Sequence, residues 1–159
     1  MQDTNARRVI SVIVVNEASV LSRITDLFSG RGYNITSLTV APIPDSKYSR
    51  LTIVTSGSVR VSEQITKQLH KLIPVLKVVE HSDLVEKEMA LVKFAPTVNI
   101  ADVDALARAF NGKIISVGEE SIITMVVDEP RRVESYLKLI AKFAPKEIVR
   151  SGSVALERI

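Results

Sequence analysis

Residues 16–40 read NEASVLSRITDLFSGRGYNITSLTV and hold the pattern that decides the fold. The β-branched run VISVIVV, residues 9–15, precedes them and predicts a strand in the middle of a sheet. Within the stretch, apolar residues recur at helical spacing until Gly30 and Gly32, either of which can end a helix. Asn34 then begins a run of Thr, Val and Ile that is typical of a strand. The stretch therefore predicts a strand–helix–strand unit with an asparagine at each of its two junctions.

The rest of the chain completes this unit and then repeats its topology. Another strand, an amphipathic helix and a short strand follow up to Glu80, which gives the order β-α-β-β-α-β of ferredoxin-like folds. The same order of patterns returns between Met89 and Arg150, after a polar segment at His81–Lys87 that is typical of a linker. The sequence therefore predicts an α+β protein of two tandem ferredoxin-like βαββαβ domains, residues 1–82 and 83–159.

The composition is that of an ordinary globular protein, with 159 residues, 46% hydrophobic and 25% charged, and a formal net charge of +3. The absence of cysteine excludes disulfides, thiolate catalysis and cysteine-rich zinc sites. No apolar stretch approaches the ~20 residues of a membrane span. The run at residues 9–15 leads into Asn-Glu rather than into a signal-peptide cleavage site. We therefore expect a cytoplasmic protein that does not associate with membranes.

Catalytic and metal-binding patterns are missing from the sequence. His70 and His81 fall in different predicted elements, whereas a metal site needs three or four converging ligands. No serine stands in a nucleophile elbow, and the glycine-containing segments lack the spacing of a phosphate-binding loop. We therefore predict no catalytic residue and no metal site.

RNA binding is the rival function for such a fold, because ferredoxin-like sheets stack bases on aromatic residues of their central strands. The corresponding segments here, VISVIVV and RLTIVTS, contain no aromatic residue, and the arginines are spread along the chain. The sequence therefore argues against a nucleic-acid partner.

A single βαββαβ unit leaves one face of its sheet without helices. That face must be solvated, packed on a partner or used for binding. Pairing of open edge strands is another way in which such sheets are protected. We therefore expect a homodimer.

The two asparagine junctions allow two readings. A helix N-terminus presents unpaired N–H groups and positive partial charge, so Asn16 and the amides after it suit the charged groups of a free amino acid. Alternatively, Asn16 or Ser19 caps the helix, and Asn34 is a turn residue after the glycines. Residue preferences alone favour the cap and the turn.

Several segments together resemble the regulatory (small) subunits of acetolactate synthase, also called acetohydroxyacid synthase, across essentially the whole chain. They include RRVISVIVVNEASVLSRITDLFSGRGYNITSLTVAP, SRLTIVTSG, EKEMALVKF, FNGKIISV and RSGSVAL. The resemblance implies an N-terminal ACT domain that dimerises and binds an effector, followed by a second ferredoxin-like regulatory domain. It implies a subunit without activity of its own that activates the catalytic (large) subunit and confers feedback inhibition by valine. Thiamine diphosphate, FAD and magnesium are then expected only on the catalytic partner of this branched-chain amino-acid pathway.

The resemblance also implies where valine sits. The ACT domains of two chains pair edge to edge, and the Asn16–Val20 loop of one chain, with Ala18 and Ser19, faces Asn34 and Ile35 of the other. Asn16 and Asn34 would hold the polar groups, the amides around Ser19 and Val20 the carboxylate, and Ile35 the isopropyl group. One residue departs from the family, which usually has glycine where this chain has Ser19, and we hypothesise that valine binds more weakly as a result. A free-standing ACT-type sensor is the alternative, but it would not need the second domain in this form.

Overall fold

The structure is a computed structural model in which residues 5–159 are described, so the first four positions of the predicted first domain lie outside the described residues. The described chain forms twelve strands and α-helices and one short 3-10 helix. In chain order they are β1 (Ala6–Val15), α1 (Val20–Gly30), β2 (Ile35–Pro42), β3 (Tyr48–Gly57), α2 (Val59–His70), β4 (Val75–Glu80), β5 (Leu84–Phe94), α3 (Ile100–Ala109), β6 (Gly112–Val117), β7 (Ile122–Asp128), α4 (Pro130–Leu139), the 3-10 helix (Ile140–Phe143) and β8 (Glu147–Glu157). This order is βαββαβ twice, and it confirms the predicted fold class.

The chain divides into two compact units. The first comprises the residues up to Val85 together with Ser153–Ile159, and the second comprises Glu86–Gly152. The predicted boundary at residues 82 and 83 differs little from this division along most of the chain. The prediction assigned residues 153–159 to the second domain, however, whereas the structure packs them with the first unit. Strand β8 therefore begins in one unit and ends in the other.

The first sheet has the strand order β2-β3-β1-β4, with antiparallel pairing between neighbours. Its central strand β1 is the VISVIVV segment, as the sequence predicted. Helix α1 presents Val20, Ile24 and Phe28 to this sheet, because residues four apart lie on one helix face. The buried core comprises Ile10, Val12, Val14, Val20, Ile24, Phe28, Leu51, Ile53, Ile65, Leu69 and Val78.

The second sheet has the strand order β6-β7-β5-β8 and a core of its own. The buried residues are Ala90, Val92, Phe94, Val103, Val126, Val133, Tyr136 and Ile140, together with partly buried neighbours. Tyr136 is fully buried, and its hydroxyl lies 2.7 Å from that of Thr124. Burial raises the pKa of Tyr136, while this hydrogen bond acts in the opposite direction. The hydroxyl of Tyr136 thus has a hydrogen-bond partner within the apolar core, as a buried tyrosine requires.

The helix-free face of the first sheet is covered by the chain itself. Val9 and Val54 lie on this face and form a small buried cluster with Ala155, against which Leu84 packs. The sequence left open whether solvent, a partner or a ligand would occupy this face. The C-terminal residues that follow Gly152 occupy it instead. Among the helices of residues 5–159, none has the length and apolar character needed to cross a membrane.

Candidate functional site

The loop between β1 and α1 holds Asn16 by its backbone and leaves its side chain exposed. The Asn16 N–H donates to the carbonyl of Lys47, and the neighbouring Val15 N–H donates to that of Pro74, both at 2.9 Å. The Glu17 N–H turns back to the Val15 carbonyl, also at 2.9 Å. No hydrogen bond to the Asn16 side chain is found within the described part of the chain. The backbone of Asn16 is therefore fixed, while its side-chain amide has no hydrogen-bond partner in the described chain.

The first turn of α1 leaves backbone amides unpaired. Ser19 occupies the N-cap position with φ −91° and ψ −8°, and its hydroxyl makes no capping hydrogen bond. The Val20 N–H makes a long bond of 3.3 Å to the Glu17 carbonyl. The N–H groups of Leu21 and Ser22 have no acceptor within residues 5–159, and no acidic residue stands in this turn. The positive end of this helix is thus available to an anion.

These observations bear on the alternatives that the sequence left open. The reading in which the Ser19 side chain caps the helix is wrong, since that hydroxyl bonds to no amide of the first turn. The amide of Val20 is partly engaged, so Leu21 and Ser22 provide the unpaired N–H groups nearest to the loop. The Val20 side chain is buried at 3% exposure and serves the core, whereas Ala18 is exposed.

The loop between α1 and β2 places Asn34 at the start of an edge strand. Gly32 adopts a left-handed φ of 69°, and the Tyr33 N–H returns to the Phe28 carbonyl at 2.9 Å, which ends the helix. The Asn34 side chain is exposed, while its carbonyl accepts a hydrogen bond from the Thr55 hydroxyl. Ile35 is half-buried and packs against the first core, which leaves part of its side chain at the surface.

The two junctions lie at opposite ends of the first sheet. Ile35 pairs with Thr55, which pairs with Arg8 at the start of β1, whereas Asn16 follows the last residue of β1. Arg8 and Asn16 are eight residues apart, which is roughly 25 Å of extended chain. A single chain therefore brings Asn16, Ala18, Ser19 and Val20 together, but it does not bring them to Asn34 and Ile35.

The second unit has asparagines at the same two topological positions, and both are engaged. Asn99 caps α3 by accepting from the Asp102 N–H at 3.2 Å. Asn111 has a left-handed φ of 58° and donates its amide to the carboxylate of Asp128 at 3.0 Å. The sequence analysis did not single out this pair. The two units differ in this respect, because among the described residues only the first unit leaves both of these asparagine side chains exposed and without a hydrogen bond.

Buried carboxylates in the second unit serve structural ion pairs. Burial raises the pKa of Asp128, but hydrogen bonds from Arg132 at 2.5 Å and from the Glu129 N–H outweigh it and lower that pKa overall. Glu88 is buried and accepts two hydrogen bonds from Arg150, at 2.6 and 3.1 Å, which raise the pKa of Arg150. Each carboxylate has a cationic partner, as a buried charge requires.

Two other features of the described residues are weaker candidates for a ligand site. The described residues include no group of three or more His, Cys, Asp or Glu side chains that could hold a metal ion. An open cleft in the second unit is lined by Lys93, Pro96, Glu120, Ser121, Lys146 and Glu147. Lys93 and Glu147 are already paired there at 3.0 Å, and the other two charged lining residues, Glu120 and Lys146, are of opposite sign, so the lining has no net charge to attract an ion. The β1–α1 junction is the better candidate for a ligand.

Comparisons with known proteins identify the family. Residues 10–77 match the family model described as the AHAS small subunit-like ACT domain, and residues 87–159 match the one described as the small subunit of acetolactate synthase. The chain is 43% identical to the acetolactate synthase isozyme 3 small subunit of Escherichia coli, with 96% of each protein covered. It is 39% identical to the acetolactate synthase small subunit of Buchnera aphidicola, covering 96% of this chain and 99% of the relative.

A solved structure agrees with these matches. The crystal structure of the acetolactate synthase small subunit from Thermotoga maritima superposes with a TM-score of 0.90 at 34% identity, covering 97% of this chain and 98% of that one. The fold and the family matches thus define a regulatory protein of the ACT class. The chain belongs to the family of acetolactate synthase small subunits, which confirms the resemblance read from the sequence. It is a regulatory ACT-domain chain, and the catalytic activity of the enzyme is in the large subunit.

Proposed function

We propose that this chain activates the catalytic subunit of acetolactate synthase and confers feedback inhibition by valine on branched-chain amino-acid biosynthesis. Family membership supports the catalytic partner. The unpaired amides of Leu21 and Ser22 beside the exposed side chain of Asn16 are the observation that supports an amino-acid effector. Thiamine diphosphate, FAD and magnesium are assigned in this proposal to the catalytic partner, and the complex to the cytoplasm.

The junction has the chemistry that a free amino acid requires. Its carboxylate would accept hydrogen bonds from the N–H groups of Leu21 and Ser22 at the positive end of α1. The carbonyl oxygen of the Asn16 side chain would accept from the ammonium group, while the amide nitrogen can donate to the carboxylate. A small apolar side chain such as that of valine would then lie against Ala18.

A second copy of the chain supplies the remaining residues. Strand β2 lies at the edge of the first sheet, and its last residue, Pro42, pairs with Ser49 near the Asn16 end of that sheet. Antiparallel pairing of two β2 strands about a two-fold axis would place the start of each beside the end of the other. Asn34 and Ile35 of one copy would thereby approach the Asn16 loop of the other, and each dimer would hold two equivalent sites.

The proposal includes a role for Ser19 in setting the affinity of this site for valine. Its φ of −91° is open to any residue, so the serine causes no backbone strain in the free protein. The effect of replacing the usual glycine must then come from the added Cβ and hydroxyl beside the ligand. We propose that these atoms reduce the affinity for valine.

Complementation between two variants tests the shared site. Asn16→Ala and Asn34→Ala each disable both sites of a homodimer. A mixed dimer of the two variants has one site with both substitutions and one site with neither. Calorimetry on a mixed dimer purified with two different tags should therefore recover about half of the wild-type valine stoichiometry.

The same preparations test the partner and provide the controls. Each variant should copurify with the catalytic subunit and activate it, because activation is assigned to another surface. Asn99→Ala, at the corresponding position of the second unit, should leave valine binding unchanged. Recovery of no binding in the mixed dimer would contradict a site shared by two chains. Wild-type protein that neither copurifies with the catalytic subunit nor alters its activity would support the free-standing sensor instead.

A further inference from the structure

The C-terminal residues 153–158, called the strap below, are clamped onto strand β2. The Ser153 N–H donates to the hydroxyl of Ser37, and the Ser153 carbonyl accepts from the hydroxyl of Thr39, both at 2.9 Å. The side chain of Ser153 is also buried, with 1% of the residue exposed. Two alternate residues of β2 therefore hydrogen-bond both backbone polar groups of one strap residue.

The middle of the strap is held by a half-buried arginine and by apolar contacts. Arg50 donates through one nitrogen to the Ala155 carbonyl at 2.8 Å and to the Ser11 hydroxyl at 2.9 Å. The Ala155 side chain packs with Val9 and Val54 in the buried cluster on the same face. The strap is thus fixed by more than one kind of contact.

The end of the strap meets a buried histidine. The ring of His81 has only 3% of its side chain exposed, and its Nε2 lies 2.5 Å from the Ser11 hydroxyl. Its Nδ1 faces the Glu157 carboxylate at 3.4 Å, which is longer than a well-formed hydrogen bond. Arg158 pairs with Asp83 at 2.7 Å. The sequence analysis placed His81 at the start of the linker and found no metal site for it, whereas the structure places its ring against Glu157 of the strap.

The chain just before the strap is fixed within the second unit. The Ser151 hydroxyl accepts from the Met89 N–H at 2.9 Å. Arg150 bonds Glu88 in bidentate fashion and reaches Glu134 of α4 at 2.8 Å. Strand β8 is therefore held at one end by the second unit and at the other end by β2 of the first.

Strand β2 also begins at the proposed effector site. A register shift between Ile35 and Ser37 leaves Thr36 as an extra residue in β2. Such a bulge can change how the side chains on its two sides are aimed. Along the chain, this bulge lies between Asn34 and Ile35, which would face valine, and Ser37 and Thr39, whose hydroxyls hold Ser153.

We infer that the strap carries the effector signal. Valine bound at Asn34 and Ile35 favours one arrangement of the β2 bulge. The clamp, which is formed by the Ser37 and Thr39 hydroxyls on the backbone of Ser153, passes that preference through β8 to the second unit. This inference rests on the valine site proposed above. It requires only that valine bind one arrangement of the bulge better than the other. Breaking the clamp should then separate valine binding from inhibition.

The test uses Ser37→Ala/Thr39→Val in the complex with the catalytic subunit. Valine affinity of the isolated dimer should stay within about threefold of wild type, and activation without valine should be retained. Maximal inhibition by saturating valine should fall by at least about half, because the ligand signal no longer reaches β8. The control is Thr66→Val, which removes a hydroxyl bond to a backbone carbonyl within α2 of the first unit and should keep full inhibition.

Hydrogen exchange provides a second readout that does not depend on the enzyme. Valine should slow exchange of the Ser153 N–H in wild type by several-fold, and it should have no such effect in the clamp variant. Glu157→Gln, a milder change at the other end of the strap, should weaken inhibition in the same direction. Full inhibition by the clamp variant, or loss of its valine binding, would overturn the inference. Absence of valine binding in wild type would instead contradict the proposed function.

Discussion

The hydroxyl of Thr55 donates to the backbone carbonyl of Asn34, at the end of the first sheet that lies opposite to Asn16. Thr55 is buried, with 1% exposure, whereas the Asn34 side chain is exposed. The bond fixes the backbone of Asn34 to its own sheet and leaves the side-chain amide free to project outward. Asn34 thus has a fixed backbone and a side chain without a hydrogen-bond partner among the described residues, as the proposed shared site requires.

Thr55→Val tests whether this hydrogen bond positions Asn34 for the ligand. Loss of the hydroxyl should lower the free energy of unfolding by about 1 kcal/mol, the usual contribution of one hydrogen bond. It should also weaken valine binding several-fold, because Asn34 becomes less ordered before the ligand arrives. Calorimetry and urea unfolding measure the two effects. The control is Thr52→Val on the same strand, whose hydroxyl makes no bond in the described chain, and unchanged affinity in both variants would refute the role of Thr55.

Ser19→Gly should raise valine affinity by about tenfold, since removal of roughly 1.4 kcal/mol of crowding corresponds to that factor. Stability should change by no more than a few tenths of a kcal/mol, because the Ser19 hydroxyl caps nothing. Titration calorimetry checks the first expectation and urea unfolding the second. Ser58→Gly at the start of α2 is the matched control and should leave the affinity as it is. An affinity unaltered by Ser19→Gly would dispose of the hypothesis.

Gly112→Ala should destabilise the second unit by about 3 kcal/mol or more. An added Cβ would lie 2.4 Å from the Met125 carbonyl oxygen and 2.6 Å from the Val126 side chain, and the backbone neighbour cannot easily move. The matched control is Gly118→Ala, where the nearest atom is 3.8 Å away and the effect should stay within about 0.5 kcal/mol. Thermal unfolding compares the two. Equal melting temperatures would show that the strand pairing at Gly112 is looser than described.

Asp128→Asn should change how stability depends on pH. The folded state lowers the pKa of Asp128 from 3.8, so its ionised form stabilises the protein above that pH. This contribution is lost as the pH falls through the lower folded value, and asparagine lacks it at every pH. The variant should be less stable by about 2 kcal/mol at pH 7, with a difference that shrinks below pH ~4. Urea unfolding from pH 7 to 3 measures it, with Asp104→Asn as the control, because the Asp104 side chain is 36% exposed and pairs with Arg108 at the surface, whereas that of Asp128 is 4% exposed. A difference that stayed constant over this range would contradict the assignment.

The local order of strands and helices could be read from the sequence because each element carries its own period. Helix α1 shows the spacing of Val20, Ile24 and Phe28 on one face, and β1 shows a continuous β-branched run. The candidate junctions were also visible, because asparagine between a strand and a helix has few chemical roles. The choice between cap and ligand contact was not visible, since it depends on hydrogen bonds that only coordinates display.

Two features could not be predicted from local patterns because they join residues distant in the chain. The burial of His81 beneath Glu157, and the grip of Ser37 and Thr39 on Ser153, bring together positions more than 70 residues apart. The segment RSGSVAL predicts the end of a strand, but its composition does not indicate which sheet face it covers. That assignment depends on the shape and polarity of a face formed by β1, β2 and β3 together.

The sequence by itself determined the tandem βαββαβ order, the family and the two asparagine junctions, since periodicity and turn chemistry act over a few neighbouring residues. Tertiary structure alone decided that the junctions stand at opposite ends of one sheet and that the last residues of the chain close its open face. The physical reason is that strand register and face covering are set by packing among distant segments, and no single segment encodes its partner.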